Sequence, residues 1–139
     1  MREVGKLNGS NSYYEEDFVK PAPGVFFVFG SNRLGIHGAG AARAANQYCG
    51  AVYGVGEGPT GLSYAIPTKE RPHDHGLPLS EIEKGVHRFI QYTLDNPDKT
   101  FLVTTIGTGY AGHHFSDIAP MFRGAINCWF SKAWEQFLI

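Results

Sequence analysis

FFVFGSNRLGIHGAGAARAA, residues 26–45, joins an apolar run to an alanine-rich segment through Gly30-Ser31-Asn32 and Gly38-Ala39-Gly40. The pattern reads as a buried strand from Val25 to Phe29, a glycine-lined turn and a helix N-terminus. The first turn of a helix has unpaired N–H donors and a partial positive charge, and glycines let an anion approach the backbone without Cβ interference. A phosphate-bearing ligand is therefore the first expectation. Tight packing of a small-residue helix on a sheet produces the same pattern. Gly35, Gly38 and Gly40 do not have the intervals of the dinucleotide-binding fingerprint.

Working outward, residues 1–24 are polar, read as an irregular segment, and end in the rigid Pro21-Ala22-Pro23-Gly24. After the first helix, the glycine-rich GAVYGVGEGPTG stretch from Gly50 to Gly61 reads as a winding loop with a short strand around Ala51 to Tyr53. Leu62 to Pro67 is the next buried strand and Arg71 to Pro78 a loop. Ser80, with Glu83 three residues on, has capping-box spacing, and Ile82, Val86, Phe89 and Ile90 form one apolar helical stripe. Phe101 to Ile106 is a strand running into a second glycine loop, Gly107-Thr108-Gly109-Tyr110-Ala111-Gly112. Ser116 or Asp117 is placed to cap a final helix with Met121, Phe122, Ile126, Trp129 and Phe130 on its buried side. Strands alternating with helices predict an α/β sheet, and two glycine loops after parallel strands should converge at its C-terminal edge.

At 139 residues the chain is read as one domain, 1–139, with 42% hydrophobic and 18% charged residues. A net charge of −1 excludes a broad electrostatic footprint for duplex nucleic acid. Cys49 and Cys128 stand far apart without metal-ligand spacing, so neither a disulfide framework nor structural zinc is expected. No signal-peptide pattern is present and no apolar run approaches the ~20 residues needed to span a bilayer, which predicts a cytoplasmic protein with no membrane partner.

Three motifs, Gly38-Ala39-Gly40, Tyr64-Ala65-Ile66-Pro67-Thr68-Lys69 and Ile106-Gly107-Thr108-Gly109-Tyr110-Ala111-Gly112, occur in the order and at the separations seen in macrodomains. The chain resembles the branch containing terminal ADP-ribose glycohydrolases that act on glutamate-linked ADP-ribose, and is similar to short macro-like proteins of bacteriophages and bacteria. The resemblance covers about Asp17 to Ile126 and implies a three-layer α/β/α fold with a mixed central sheet. It implies binding of ADP-ribose or a related NAD-derived nucleotide between Gly38, Ala39, Gly40 and Ala41 and the loop from Gly107 to Gly112, with no cofactor and no metal. Asp17-Phe18, or Glu16 in place of Asp17, would meet the adenine; Ser31 and Asn32 would face the distal ribose, and His37 would touch a phosphate or ribose. The phage likeness suggests a sponge for a cyclic or linear ADP-ribose defence signal.

The enzyme alternative is an ADP-ribosyl hydrolase. The related hydrolases use a lysine at the position of Lys69 and an aspartate where this chain has Ala111. Only the lysine is kept, which leaves His113, with His114 beside it, as the replacement acid or base. His73-Asp74-His75 has the composition of a metal run without convincing ligand spacing, and Glu57 is a further acid near the cleft. The remaining alternative is a non-catalytic α/β interaction protein whose loops only pack helices.

Overall fold

The structure, a computed structural model, describes residues 2–15 and 19–139, so Glu16, Asp17 and Phe18 lie outside the described residues. In chain order the strands are β1 (Arg2–Val4), β2 (Ser12–Tyr14), β3 (Val19–Pro21), β4 (Phe26–Asn32), β5 (Gly58–Thr60), β6 (Ser63–Lys69), β7 (Phe101–Val103) and β8 (Cys128–Ser131). The helices are α1 (Gly40–Tyr48), α2 (Leu79–Asp95), α3 (Phe115–Ile118) and α4 (Glu135–Leu138). Six strands form one mixed sheet in the order β2-β8-β7-β4-β6-β5, parallel throughout except for the antiparallel β5–β6 pair. β1 and β3 pair separately.

Side-chain alternation explains why both faces of the sheet carry helices. In β4, Phe26 and Val28 join Tyr64 and Ile66 of β6 on one face, where Ile82, Val86 and Phe89 of α2 pack fully buried. Phe29 and Ala65 point the other way, against Ala42 and Ala45 of α1. Covering both faces is what a parallel sheet requires. Each fully buried residue of the α2 stripe contributes roughly 1.5–3 kcal/mol relative to exposure. Gly85 brings that helix close, since a Cβ there would stand 3.4 Å from Ile66 Cγ2.

Several local readings are corrected. The N-terminal segment read as irregular carries three short strands, with β2 at the outer edge of the main sheet. It is held by side chains acting over long sequence separations: the Asn11 amide donates to Ala125 O (2.9 Å), its Oδ1 accepts from Cys128 N (2.9 Å), and the Tyr14 hydroxyl donates to Val103 O (2.8 Å). No local periodicity announces such bonds. Ala51–Tyr53 forms no strand; Val52 and Tyr53 are exposed and the strand of this region is β5. α2 begins at Leu79 after Pro78, with no side-chain cap from Ser80.

The expected final helix ends early. α3 runs through a 3-10 turn at Ala119–Phe122 and stops, and Trp129 and Phe130 lie in β8. Gly124 at φ +100 and Asn127 at φ +58 explain the break, because a right-handed helix does not pass through left-handed residues. Among the described residues no helix is long and apolar enough to cross a membrane.

Candidate functional site

The chain leaves β4 through α1 on one face to reach β6, then returns through α2 on the other face to reach β7 on the opposite side of β4. Connections that diverge in this way open a crevice at the carboxyl ends of the strands. A cavity of about 1000 Å³ occupies that crevice. Its floor is made of strand ends: Gly30 and Ser31 from β4, Thr68 from β6, and Thr104, Thr105 and Ile106 beyond β7.

The start of α1 forms one wall, with Gly38, Ala39, Ala41 and Ala42 facing the cavity. The N-cap residue is Ala39, which makes no side-chain cap, and the first turn holds no acidic residue. Among the described residues no cap side chain or first-turn acid offsets its N–H donors. Gly40 does not line the cavity itself; it sits at φ +60, and a Cβ there would stand 3.1 Å from the Tyr110 ring.

The loop after β7 forms the facing wall through Gly107, Gly109, Tyr110 and Ala111. Gly107 is needed for its φ of +78 and its fit against Ile118. Gly109 has no positive φ, and open space surrounds its Cβ direction. Tyr110 is 76% exposed and spans the mouth between Gly40 and Lys69, whose Nζ lies 5.4 Å from its ring centroid.

Thr108, Gly112 and His113 fall outside this cavity. Thr108 and His113, with His114, border a shallower hollow of about 420 Å³. His113 Nε2 is 2.8 Å from Leu77 O, and its backbone N–H donates to Gly107 O, so the imidazole fastens the glycine loop to the segment after β6. Gly76 makes that contact possible, because a Cβ there would stand 2.4 Å from Ala111 O.

Ser31 and Asn32 line the cavity but are 4% and 6% exposed, with side chains bonded to the protein. The Ser31 hydroxyl donates to Gly56 O. The Asn32 amide donates to Ile36 O (2.9 Å) while its Oδ1 accepts from Ile36 N (3.1 Å), closing the loop that delivers α1. His37 is absent from the lining. It is 2% exposed, held edge-on by Phe29 (5.4 Å) and Tyr53 (5.7 Å). Among the described residues neither ring nitrogen meets a partner in good hydrogen-bond geometry; the Val55 backbone comes near enough to oppose, without reversing, the downward pKa shift that burial imposes. Asp17 and Phe18 lie outside the described residues.

Lys69 lines the cavity and donates to Pro72 O (2.9 Å). Among the described residues the carboxylate in the lining is Asp74, which Arg71 grips through Nε at 3.0 Å and Nη2 at 3.2 Å. Glu57 instead pairs with Arg88 of α2, outside the lining. Among the described residues no three His, Cys, Asp or Glu side chains gather as a metal-binding group.

Sequence reasoning missed the third wall, formed by Arg71, Pro72, His73 and Asp74, and the lining residues Leu34 and Ile36. Its signal was available: RPHDHGLP directly follows the carboxyl end of a parallel strand, where α/β folds place binding loops. Comparison with models of known protein families, with curated proteins and with solved structures finds no match for this chain. Its function is read from the site itself.

Proposed function

We propose that the chain is a macrodomain-like module that binds ADP-ribose or a closely related NAD-derived nucleotide in this cavity, and holds it without turnover. The observation that carries the reading is the uncapped start of α1 facing the Gly107–Ala111 backbone across one large crevice. A diphosphate placed between them meets first-turn N–H groups on one side and a glycine loop on the other. Lys69 in the lining adds favourable charge, and Tyr110 offers a ring face at the mouth.

The disposition of acids and bases among the described residues supports binding rather than hydrolysis. Ala111 supplies no carboxylate, Asp74 is engaged by Arg71, and His113 is turned to Leu77 O outside the cavity. A sponge for an ADP-ribose signal in the cytoplasm uses such a site without needing chemistry. Calorimetry tests the reading: ADP-ribose or a cyclic isomer should bind more tightly than AMP or duplex DNA. No heat from ADP-ribose and its cyclic isomers with folded protein refutes it.

A further inference from the structure

His37 stands between two residues of the cavity lining, Ile36 and Gly38, while its own side chain is buried on the core side. The chain just before it is pinned: the Asn32 side chain bonds both Ile36 N and Ile36 O, and Gly54 N donates to Gly35 O at 2.8 Å. A Cβ on Gly35 would collide with the backbone of Gly54 and Val55, so the loop after α1 lies directly on the loop before it. Between these pins and Ala39, the N-cap of α1, the buried side chain is the imidazole of His37, set between Phe29 of β4 and Tyr53 of the later loop. Gly38 adds no side chain and has nothing within 4 Å of its Cβ direction. The ring is the anchor that fixes where α1 starts.

The slot suits a neutral ring. Phe29 carries no charge, and the Tyr53 phenol stays neutral below its ordinary pKa of about 10. Of the charged residues on the elements around it, Arg33 is paired with Glu70, Glu57 is paired with Arg88, and Arg43 of α1 is exposed. Among the described residues no carboxylate meets either ring nitrogen. Protonation therefore places an unpaired charge in an apolar slot, and the imidazolium is better solvated outside it. Gly38 lets the backbone turn as the ring leaves, which displaces Ile36 and Gly38 and with them the start of α1.

We propose that His37 is a positioning residue operated by a proton: its neutral ring holds the cavity in the binding form, and its protonation releases the start of α1 and with it the ligand. The inference rests on the diphosphate reading above and adds the regulation of that site. Its sign sets it apart from plain electrostatics. The lining groups that gain protons on acidification, His73 and Asp74, make the cavity more positive and so favour a diphosphate as pH falls. Release through His37 runs against that trend, and by linkage the bound ligand must hold His37 unprotonated.

Titration calorimetry of ADP-ribose with the wild-type chain and with His37→Phe, at pH 7.5 and pH 5.5, tests it; circular dichroism confirms folding at both. Phenylalanine fills the slot without a titratable group, so the variant reports what His73 and Asp74 do alone. The wild-type affinity relative to His37→Phe should be near one at pH 7.5 and lower by at least about threefold at pH 5.5, under a ceiling of about tenfold per pH unit for one proton. On the wild type alone, the His37 imidazole followed by NMR should titrate at lower pH with saturating ADP-ribose than without it. An affinity ratio equal at the two pH values, a folded His37→Phe that has lost ADP-ribose at pH 7.5, or a His37 titration that ADP-ribose raises or leaves unmoved overturns the proton-operated role and leaves the diphosphate reading standing. Failure of the folded wild type to bind ADP-ribose at pH 7.5 overturns both.

Discussion

Gly107 and Gly109 stand two residues apart in one loop, and their substitution by alanine should have opposite effects on stability. At Gly107, φ is +78 and a Cβ would lie 3.2 Å from Ile118 Cδ1, a fully buried atom neighbourhood that must give way. A left-handed non-glycine residue costs about 1–2 kcal/mol, and mild overpacking brings the total to about 1–3 kcal/mol. At Gly109 neither penalty applies, because φ is not positive and nothing stands within 4 Å of the added carbon. Alanine there restricts the unfolded chain and should stabilise by about 0.4–1 kcal/mol. For a chain of this size 1 kcal/mol moves Tm by roughly 3 °C, so Gly107→Ala should fall by about 3–9 °C while Gly109→Ala holds or rises slightly. Gly109→Val then separates binding from folding: its isopropyl group projects into the cavity and should weaken ADP-ribose by at least about tenfold, or ~1.4 kcal/mol, at near-normal Tm. Scanning calorimetry and titration calorimetry on the three variants read both quantities. Equal Tm losses at the two glycines would refute the backbone assignment, and undiminished ADP-ribose affinity in Gly109→Val would put the ligand elsewhere.

His37 makes folding stability depend on pH. Burial lowers its folded-state pKa below the ordinary 6.5, so the unfolded chain binds more protons in the window below 6.5; the stability is complete above that pH and is lost on acidification toward the folded pKa, at no more than about 1.4 kcal/mol per pH unit. Urea unfolding between pH 8 and 5 should show this slope in the wild type and less of it in His37→Phe; parallel profiles would refute the assignment. The missing carboxylate predicts little wild-type release of ADP-ribose from a glutamate-linked substrate, since acid–base help is typically worth about 10²–10⁴ in rate. Ala111→Asp should raise release, and robust wild-type turnover abolished by Lys69→Ala would make the chain a hydrolase.

The two glycine loops and the strands that feed them were legible because their signals are local: apolar runs ending in residues that relieve the backbone. What escaped depends on contacts between distant segments. β2 exists because Asn11 and Tyr14 reach Cys128, Ala125 and Val103, and no spacing within residues 1–24 encodes those partners. Trp129 and Phe130 fit a helical stripe with Phe122 as well as they fit a strand, and the left-handed Asn127 between them was the deciding residue. His37 read as a ligand contact because it precedes the Gly-Ala-Gly turn. A loop residue flanked by Ile36 and Gly38 can turn either to the cavity or to the core, and the aromatic faces of Phe29 and Tyr53 draw it inward. His113 belongs to the same class, a histidine whose partner, Leu77 O, lies on another loop.

The third wall traces to a single irregularity in β6. Ser31 pairs with Pro67 but Asn32 pairs with Lys69, so Thr68 is the extra residue of a bulge between β4 and β6. Proline there supplies no N–H, which loosens the ladder where it shifts. The released Thr68 hydroxyl donates to Ser31 O at 3.2 Å, and the side chain packs where a Cβ on Gly30 would come within 3.5 Å. That small glycine lets the threonine into the cavity floor. A bulge also increases the local twist and re-aims the strand that carries it. The chain beyond Lys69 is thereby turned across the crevice, where Leu77 N returns to Thr68 O at 2.7 Å and Gly76 bridges to Lys69.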